Sequence, residues 1–325
     1  MDTESASPRE TAAARPAIDA RFEPVLEQFA REYLRDRRSA RRWRLLWRLL
    51  FLAGLAWLLW YEFAPRLHLN AAASPHSALI DVRGEIATDT DANADAIMGA
   101  LRDAFDDPEA KAVILRFNSP GGSPVQAGIV YDEIQRLKAL KHKKVYAVCE
   151  EICASGAYYM AVGADEIYVD KASVVGSIGV LMDGFGFTGI MSKLGVERRL
   201  LTAGENKGML DPYSPLPPQQ RAYAQAMLDQ IHAQFIAVVR EGRGKRLHET
   251  PTIFSGLFWN GEEAIKLGLA DDYGDLDYVA REVVQAPDIV DYTPQENIAD
   301  RIVKRFGAAM GAGAVKALQA TARVH

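Results

Sequence analysis

Two short stretches of this 325-residue chain combine residue types that acyl-transfer chemistry uses: Asn118-Ser119-Pro120-Gly121-Gly122-Ser123 and Cys153-Ala154-Ser155-Gly156-Ala157-Tyr158-Tyr159. In the second, a strand-like run at 145–149 precedes Ser155 and a helical pattern follows it. A serine on such a strand-to-helix turn is exposed, lies at the positive end of a helix dipole, and has the next residue's N–H beside it to receive an oxyanion. The same position suits a helix N-cap, so the pattern alone leaves nucleophile and cap both open. In the first stretch, paired glycines permit positive φ and close backbone approach. Their N–H groups could then face an anion or an extended peptide, or simply make a turn.

A serine hydroxyl attacks only when a base takes its proton. The chain has six histidines: His68, His76, His142, His232, His248 and His325. His68 and His76 fall in a linker, His325 is terminal, and His142 sits in a charged turn before a strand, at the opposite sheet end from Ser155. His232 and His248 lie in helical or polar surroundings without a recognisable acidic partner and read as surface residues. A Ser-His-Asp triad is therefore poorly supported, and lysine, a base in some convergent variants, comes forward. A lysine amine has a reference pKa of about 10.4 and works near neutrality only where burial or neighbouring cations depress it. Lys207, after a strand signal and flanked by Asn206, Gly208 and Met209, is a candidate; by position alone it is equally an ordinary loop lysine.

The elements that must position these residues follow from periodicity. Strand patterns at 78–82, 112–117, 145–149, 166–169 and 197–202 alternate with helical ones at 92–105, 125–140, 156–163, 219–243, 261–267 and 275–284. That alternation predicts an α/β domain with a largely parallel sheet, whose ligands gather at the C-terminal strand ends where both motifs lie. Residues 1 to about 20 predict disorder, and 20–38 an amphipathic helix. Residues 45–63 form an apolar run that, at about 1.5 Å per residue, suits a membrane span of about 30 Å. Seven arginines from Arg31 to Arg44 precede it, against Arg66 alone just after it. The positive-inside rule then puts the N-terminus in the cytoplasm and the remainder outside. The expected division is a basic cytoplasmic segment 1–44, an anchor 45–63, a linker 64–77, a catalytic domain 78–286 and a tail 287–325.

Composition narrows the function. A formal net charge of −5, with the strongest basic run confined to the N-terminal region, argues against nucleic acid as a partner. The only cysteines, Cys149 and Cys153, read as small core residues rather than as a disulfide framework. His142 is an unpromising third ligand beside them, so no metal site and no cofactor are expected.

Five motifs in order resemble the signal peptide peptidase A (SppA)/SohB family: Asn118-Ser119-Pro120-Gly121-Gly122; Ala154-Ser155-Gly156-Ala157-Tyr158-Tyr159; Val175-Gly176-Ser177-Ile178-Gly179-Val180; Lys207 ahead of Asp211-Pro212-Tyr213; and Trp259-Asn260-Gly261-Glu262-Glu263-Ala264 followed by Leu267-Gly268-Leu269-Ala270-Asp271. The resemblance covers roughly 78–285 and the length matches short, single-domain members. It implies Ser155 as nucleophile, Lys207 as general base, Ser177 orienting the lysine, and Gly156 with the Gly121-Gly122 loop supplying oxyanion N–H groups. It further implies a Clp-protease/crotonase-like spiral of α/β units and a ring- or dome-shaped homo-oligomer in which Ser155 and Lys207 could come from neighbouring subunits. Substrates would be extended peptides, with remnant signal peptides among them, met at a bacterial inner membrane. Two rivals are a crotonase-type acyl-CoA hydratase or thioesterase and a membrane scaffold with a decayed site. The membrane span and the Ser/Lys placement disfavour the first, and the intact motif residues disfavour the second.

Overall fold

The computed structural model describes residues 43, 46–57 and 74–294. Residues 43 and 46–57 are helical and their side chains are exposed. Among the described residues no helix is long and apolar enough to cross a membrane. The rest of the 45–63 run, the 20–38 helix, His68 and His325 lie outside the described residues.

Residues 74–294 build an α/β unit on an eight-stranded sheet. Its centre is β1 (His76–Ile86), β2 (Ala110–Gly122) and β3 (Lys144–Ala154), joined in parallel by α1 (Ala94–Asp106) and α2 (Pro124–Lys141). The run Val113-Ile114-Leu115 is apolar at consecutive positions because both sheet faces are covered. On one face, Ile97, Leu101, Ala104 and Phe105 of α1 and Val130, Ile134 and Leu137 of α2 pack against the strands. A smaller cluster on the other face holds Ile114, Val148, Tyr168, Val279 and Ala280. Each fully buried side chain of Leu or Ile size contributes about 1.5–3 kcal/mol.

The helices start where side-chain oxygens satisfy their first N–H groups. Asn93 accepts from Ala96 at α1, and Ser123 accepts from Gln126 at α2, where Pro124 occupies the first turn. Gln126 Oε1 in turn accepts from Ala94 N at 2.7 Å, fastening the two helix starts together.

Beyond β3 come α3 (Gly156–Ala161), β4 (Glu166–Val169), β5 (Val174–Gly176), α4 (Thr188–Lys193), α5 (Pro218–Arg243), β6 (Phe258–Asn260), α6 (Gly261–Lys266), β7 (Asp272–Tyr273) and β8 (Ile289–Asp291). Among the described residues all strand pairings are parallel except β5 with β6.

Several boundaries differ from expectation. β1 begins at His76, so the last two residues of the expected linker are buried core strand. β8 pairs with β1, so the sheet continues past residue 286 into the expected tail. Residues 197–202 are not a strand. They belong to an exposed stretch, 181–216, that contributes no strand to the sheet, and their apolar side chains face solvent: Leu201 is 96% exposed.

Candidate active site

Both chemical motifs are strand ends. β2 stays extended through Gly122 and pairs there with the last residues of β1. Ser119 is fully buried, and its Oγ accepts the Gly121 N–H at 3.1 Å. Gly121 has φ +99°, and a Cβ on it would lie 2.6 Å from Gly156 N and 2.7 Å from both Ala154 O and Ser155 Cβ. Only glycine lets the two loops approach this closely.

β3 reaches the same place by changing partners. Phe117 pairs with Cys149 and Ser119 with Cys153, so residues 150–152 bulge out against Asn118 alone. Before the bulge β3 pairs with β4, and from Ile152, its last residue, through Ala154 the strand pairs with β5. The bulge thus re-aims the strand end that carries Ser155.

Ser155 occupies the N-cap position of α3, yet its φ of +53° and ψ of −122° are strained for an L-residue and its hydroxyl makes no capping bond. Its backbone is pinned instead: Ser155 N donates to Gly176 O at 2.8 Å, and Ser155 O accepts from Tyr159 N at 2.9 Å. The hydroxyl is consequently not spent on the helix. Cys153, two residues earlier, is no rival nucleophile, because it is fully buried and burial pushes its thiol well above the ordinary range.

Ser177 also has positive φ, +52°, and is held by its N–H donating to Leu257 O at 2.8 Å. Ser155, Gly156, Gly121, Gly122 and Ser177 line one cleft of about 690 Å3. Its walls include Tyr159, Phe235 and Phe254; the rings of Tyr159 and Phe235 lie 5.0 Å apart. A Cβ on Gly156 would meet Gly122 N at 3.3 Å, so the backbones of these two glycines lie close together beside Ser155. The arrangement can hold an extended chain against a hydroxyl with glycine backbone beside it.

Lys207 is not in this cleft. It is exposed, within the 181–216 stretch, with its backbone N–H donating to Gly204 O at 3.1 Å. His232, expected on the surface, is half-buried and lines the cleft; its Nε2 donates to Ile178 O at 3.1 Å. The signal that could have found it is spacing: His232, Phe235, Val239 and Arg243 recur at helical intervals, and the last three are buried. His248 is bound at the surface to Lys266 O at 2.7 Å, and His142 is the left-handed C-cap of α2. His76 is a core residue, its Nε2 3.1 Å from the Tyr292 hydroxyl.

Comparison with known proteins fits this geometry. The profile of peptidase family S49 matches residues 138–289, a span holding Ser155, Ser177 and Lys207. A Brucella melitensis biotype 1 protein named "Na(+)/H(+) antiporter NhaA" is 41% identical over 227 residues, covering 70% of this chain and 31% of that protein. "Putative protease slr0021" of Synechocystis sp. is 32% identical over 198 residues, covering 61% of this chain and 69% of that protein. "Serine protease SPPA, chloroplastic" of Arabidopsis thaliana is 27% identical over 197 residues, covering 60% of this chain and 29% of that protein. The chain thus spans less than a third of the Brucella and Arabidopsis proteins. With the family profile and a relative matched over more than two thirds of its length in agreement, the chain belongs to peptidase family S49, the SppA/SohB peptidases.

Proposed function

We propose that this chain is a membrane-anchored serine endopeptidase with Ser155 as nucleophile and Lys207 as general base. The observation that carries the reading is the Ser155 turn: a strained serine, its hydroxyl free of capping duty, beside the backbones of Gly156 and Gly121 in a cleft walled in part by Tyr159, Phe235 and Phe254. In acylation, the neutral amine of Lys207 takes the Oγ proton as Oγ bonds to the scissile carbonyl carbon. The carbonyl oxygen becomes an oxyanion facing the glycine N–H groups. The C–N bond then breaks, the lysine ammonium returns the proton to the leaving amine, and an ester on Ser155 remains. Water, deprotonated by the same amine, releases the acid. Ser177 orients that amine.

Lysine serves in this role only where burial or neighbouring cations hold it uncharged. In the single chain Lys207 faces solvent, and so do Leu181, Phe185 and Leu201 of the same stretch, at 81%, 80% and 96% exposure. Large apolar side chains left this exposed along one stretch suit a surface that a partner covers. A second copy laid on the 181–216 stretch would remove it from water and bring a lysine to a neighbouring serine. The parallel α/β sheet and its partner switch in β3 fit a Clp-protease/crotonase-like spiral assembled as a homo-oligomer. Residues 45–63, with the arginine-rich flank, anchor the chain in a bacterial inner membrane with the catalytic unit outside. Extended peptides, remnant signal peptides among them, are then the substrates at hand.

Hydrolysis of casein and of a fluorogenic peptide by the full chain tests this. Ser155→Ala and Lys207→Ala are each expected to abolish turnover. Near-normal turnover by Lys207→Ala at several pH values would remove the dyad.

A further inference from the structure

We infer that His232 is a positioning residue that holds the Ser177 turn in its catalytic shape. The inference rests on the peptidase reading above and deepens it.

Ser177 has φ +52°. An L-residue stays in such a conformation only when its surroundings over-determine it. Residues 256–259 supply one set of restraints. The Trp259 ring lies where a Gly176 Cβ would be, at 2.8 Å; Ser177 N donates to Leu257 O; and Gly179 abuts the Gly256 backbone, 3.1 Å from where its own Cβ would sit. All of these come from one segment of chain. A separate restraint from another element is the bond from His232 Nε2 on α5 to Ile178 O, the carbonyl immediately after Ser177.

A carbonyl oxygen only accepts, so Nε2 carries the proton in this bond. That nitrogen is therefore committed as a donor and cannot take the Ser155 proton, although His232 lines the same cleft. His232 is tied to the rigid part of the fold through its own helix. Phe235 and Val239 are buried in the main core, and Arg243 is clamped to Asp271 by two bonds of 2.8 and 2.9 Å. The position of α5 is thereby transmitted to the Ser177 turn through one hydrogen bond.

The test uses the full-length chain with His232→Ala, His232→Gln, Ser177→Ala and the double variant His232→Ala/Ser177→Ala. It measures kcat and KM on a fluorogenic peptide, together with melting temperature. His232→Ala is expected to lower kcat by about tenfold with KM changed less than about twofold, the pattern of an interaction felt in the transition state. His232→Gln, whose amide N–H can reach the same carbonyl, should recover most of that loss. The double variant should be no slower than Ser177→Ala alone, because both changes act through one group. Three results would overturn the proposal: unchanged kcat in His232→Ala, losses that multiply in the double variant, or a His232→Gln enzyme as inactive as Ser155→Ala. If His232→Ala fails to fold, the glutamine variant decides: near-normal kcat upholds the proposal and a dead enzyme overturns it. A wild-type chain that neither turns over peptide nor reacts with a fluorophosphonate at Ser155 removes the peptidase reading, and this proposal with it. An active wild type unaffected by His232→Ala removes the proposal alone.

Discussion

Gly121→Ala isolates the close approach of the two loops on which the site depends. The added Cβ would stand 2.6 Å from Gly156 N, 2.7 Å from Ala154 O and 2.7 Å from Ser155 Cβ. The first two are backbone atoms and the third is rooted on backbone, so no flexible side-chain end can swing away. Two costs add: placing an L-residue at φ +99° costs about 1–2 kcal/mol, and overpacking costs about 1–3 kcal/mol. Their sum of roughly 2–5 kcal/mol is a large share of a typical stability of about 5–15 kcal/mol. At about 2–4 °C per kcal/mol for a domain of this size, the melting temperature should fall by roughly 4–20 °C. Gly84→Ala is the matched control, since Gly84 also has positive φ, +78°, but nothing lies within 4 Å of its added Cβ. It carries only the first cost. Urea denaturation of both variants should separate them by about 1–3 kcal/mol. Below its melting temperature, Gly121→Ala should also hydrolyse peptide far more slowly than Gly84→Ala, because whatever gives way is attached to Ser155 or Gly156. Equal stability and equal turnover in the two variants would refute the reasoning.

Other perturbations reach the elements that carry the site. Arg136 and Arg102, each donating to Glu133 at 2.7 Å, hold its carboxyl down at about 2 against an ordinary 4.5. A depressed folded-state pKa means the stabilisation is complete above 4.5 and is lost as pH falls toward 2. Glu133→Gln should therefore flatten the melting-temperature profile across that window, and a slope equal to wild type would count against it. Arg243 has a side chain only 1% exposed and bonds to Asp271 and to Gly268 O. Arg243→Ala leaves the aspartate without its bidentate partner and should cost about 3–5 kcal/mol in urea denaturation; a loss below about 1 kcal/mol would argue that the pair is replaceable. Leu201→Glu places a charge within the proposed subunit contact. Sedimentation should report dissociation with loss of peptidase activity, whereas an intact particle would move the contact elsewhere.

The strands and helices of the first half could be read from the chain because both periods are strong there. Ile97, Leu101, Ala104 and Phe105 repeat at helical spacing, and Val113 to Phe117 form an apolar run. The ends were harder. β2 and β3 continue into glycine, proline and glutamate residues whose composition argues for a loop, and only pairing with neighbouring strands keeps them extended. β5 and β6 have three residues each, too few for a period to emerge. The strand signal at 197–202 misled because a strand forms only where neighbours pair with it, and sequence does not reveal whether they do.

At the site, the residue types of Ser155 and its glycines were visible, but cap and nucleophile differ only in dihedrals and hydrogen bonds. The φ of +53° at Ser155 is a tertiary property of the β3 bulge and the Gly176 anchor. His232 looked like a surface histidine because its partner is a carbonyl 54 residues away rather than an acidic side chain. Lys207 lies in a stretch without a core of its own, so neither the sequence nor the single chain brings it to Ser155.

Fluorophosphonate labelling of the full-length assembly, followed by peptide mapping, tests the Ser155–Lys207 assignment most directly. Label should appear on Ser155 in the wild type and be reduced to background in Lys207→Ala. Label on another residue, or undiminished labelling of Ser155 without the lysine, would contradict it.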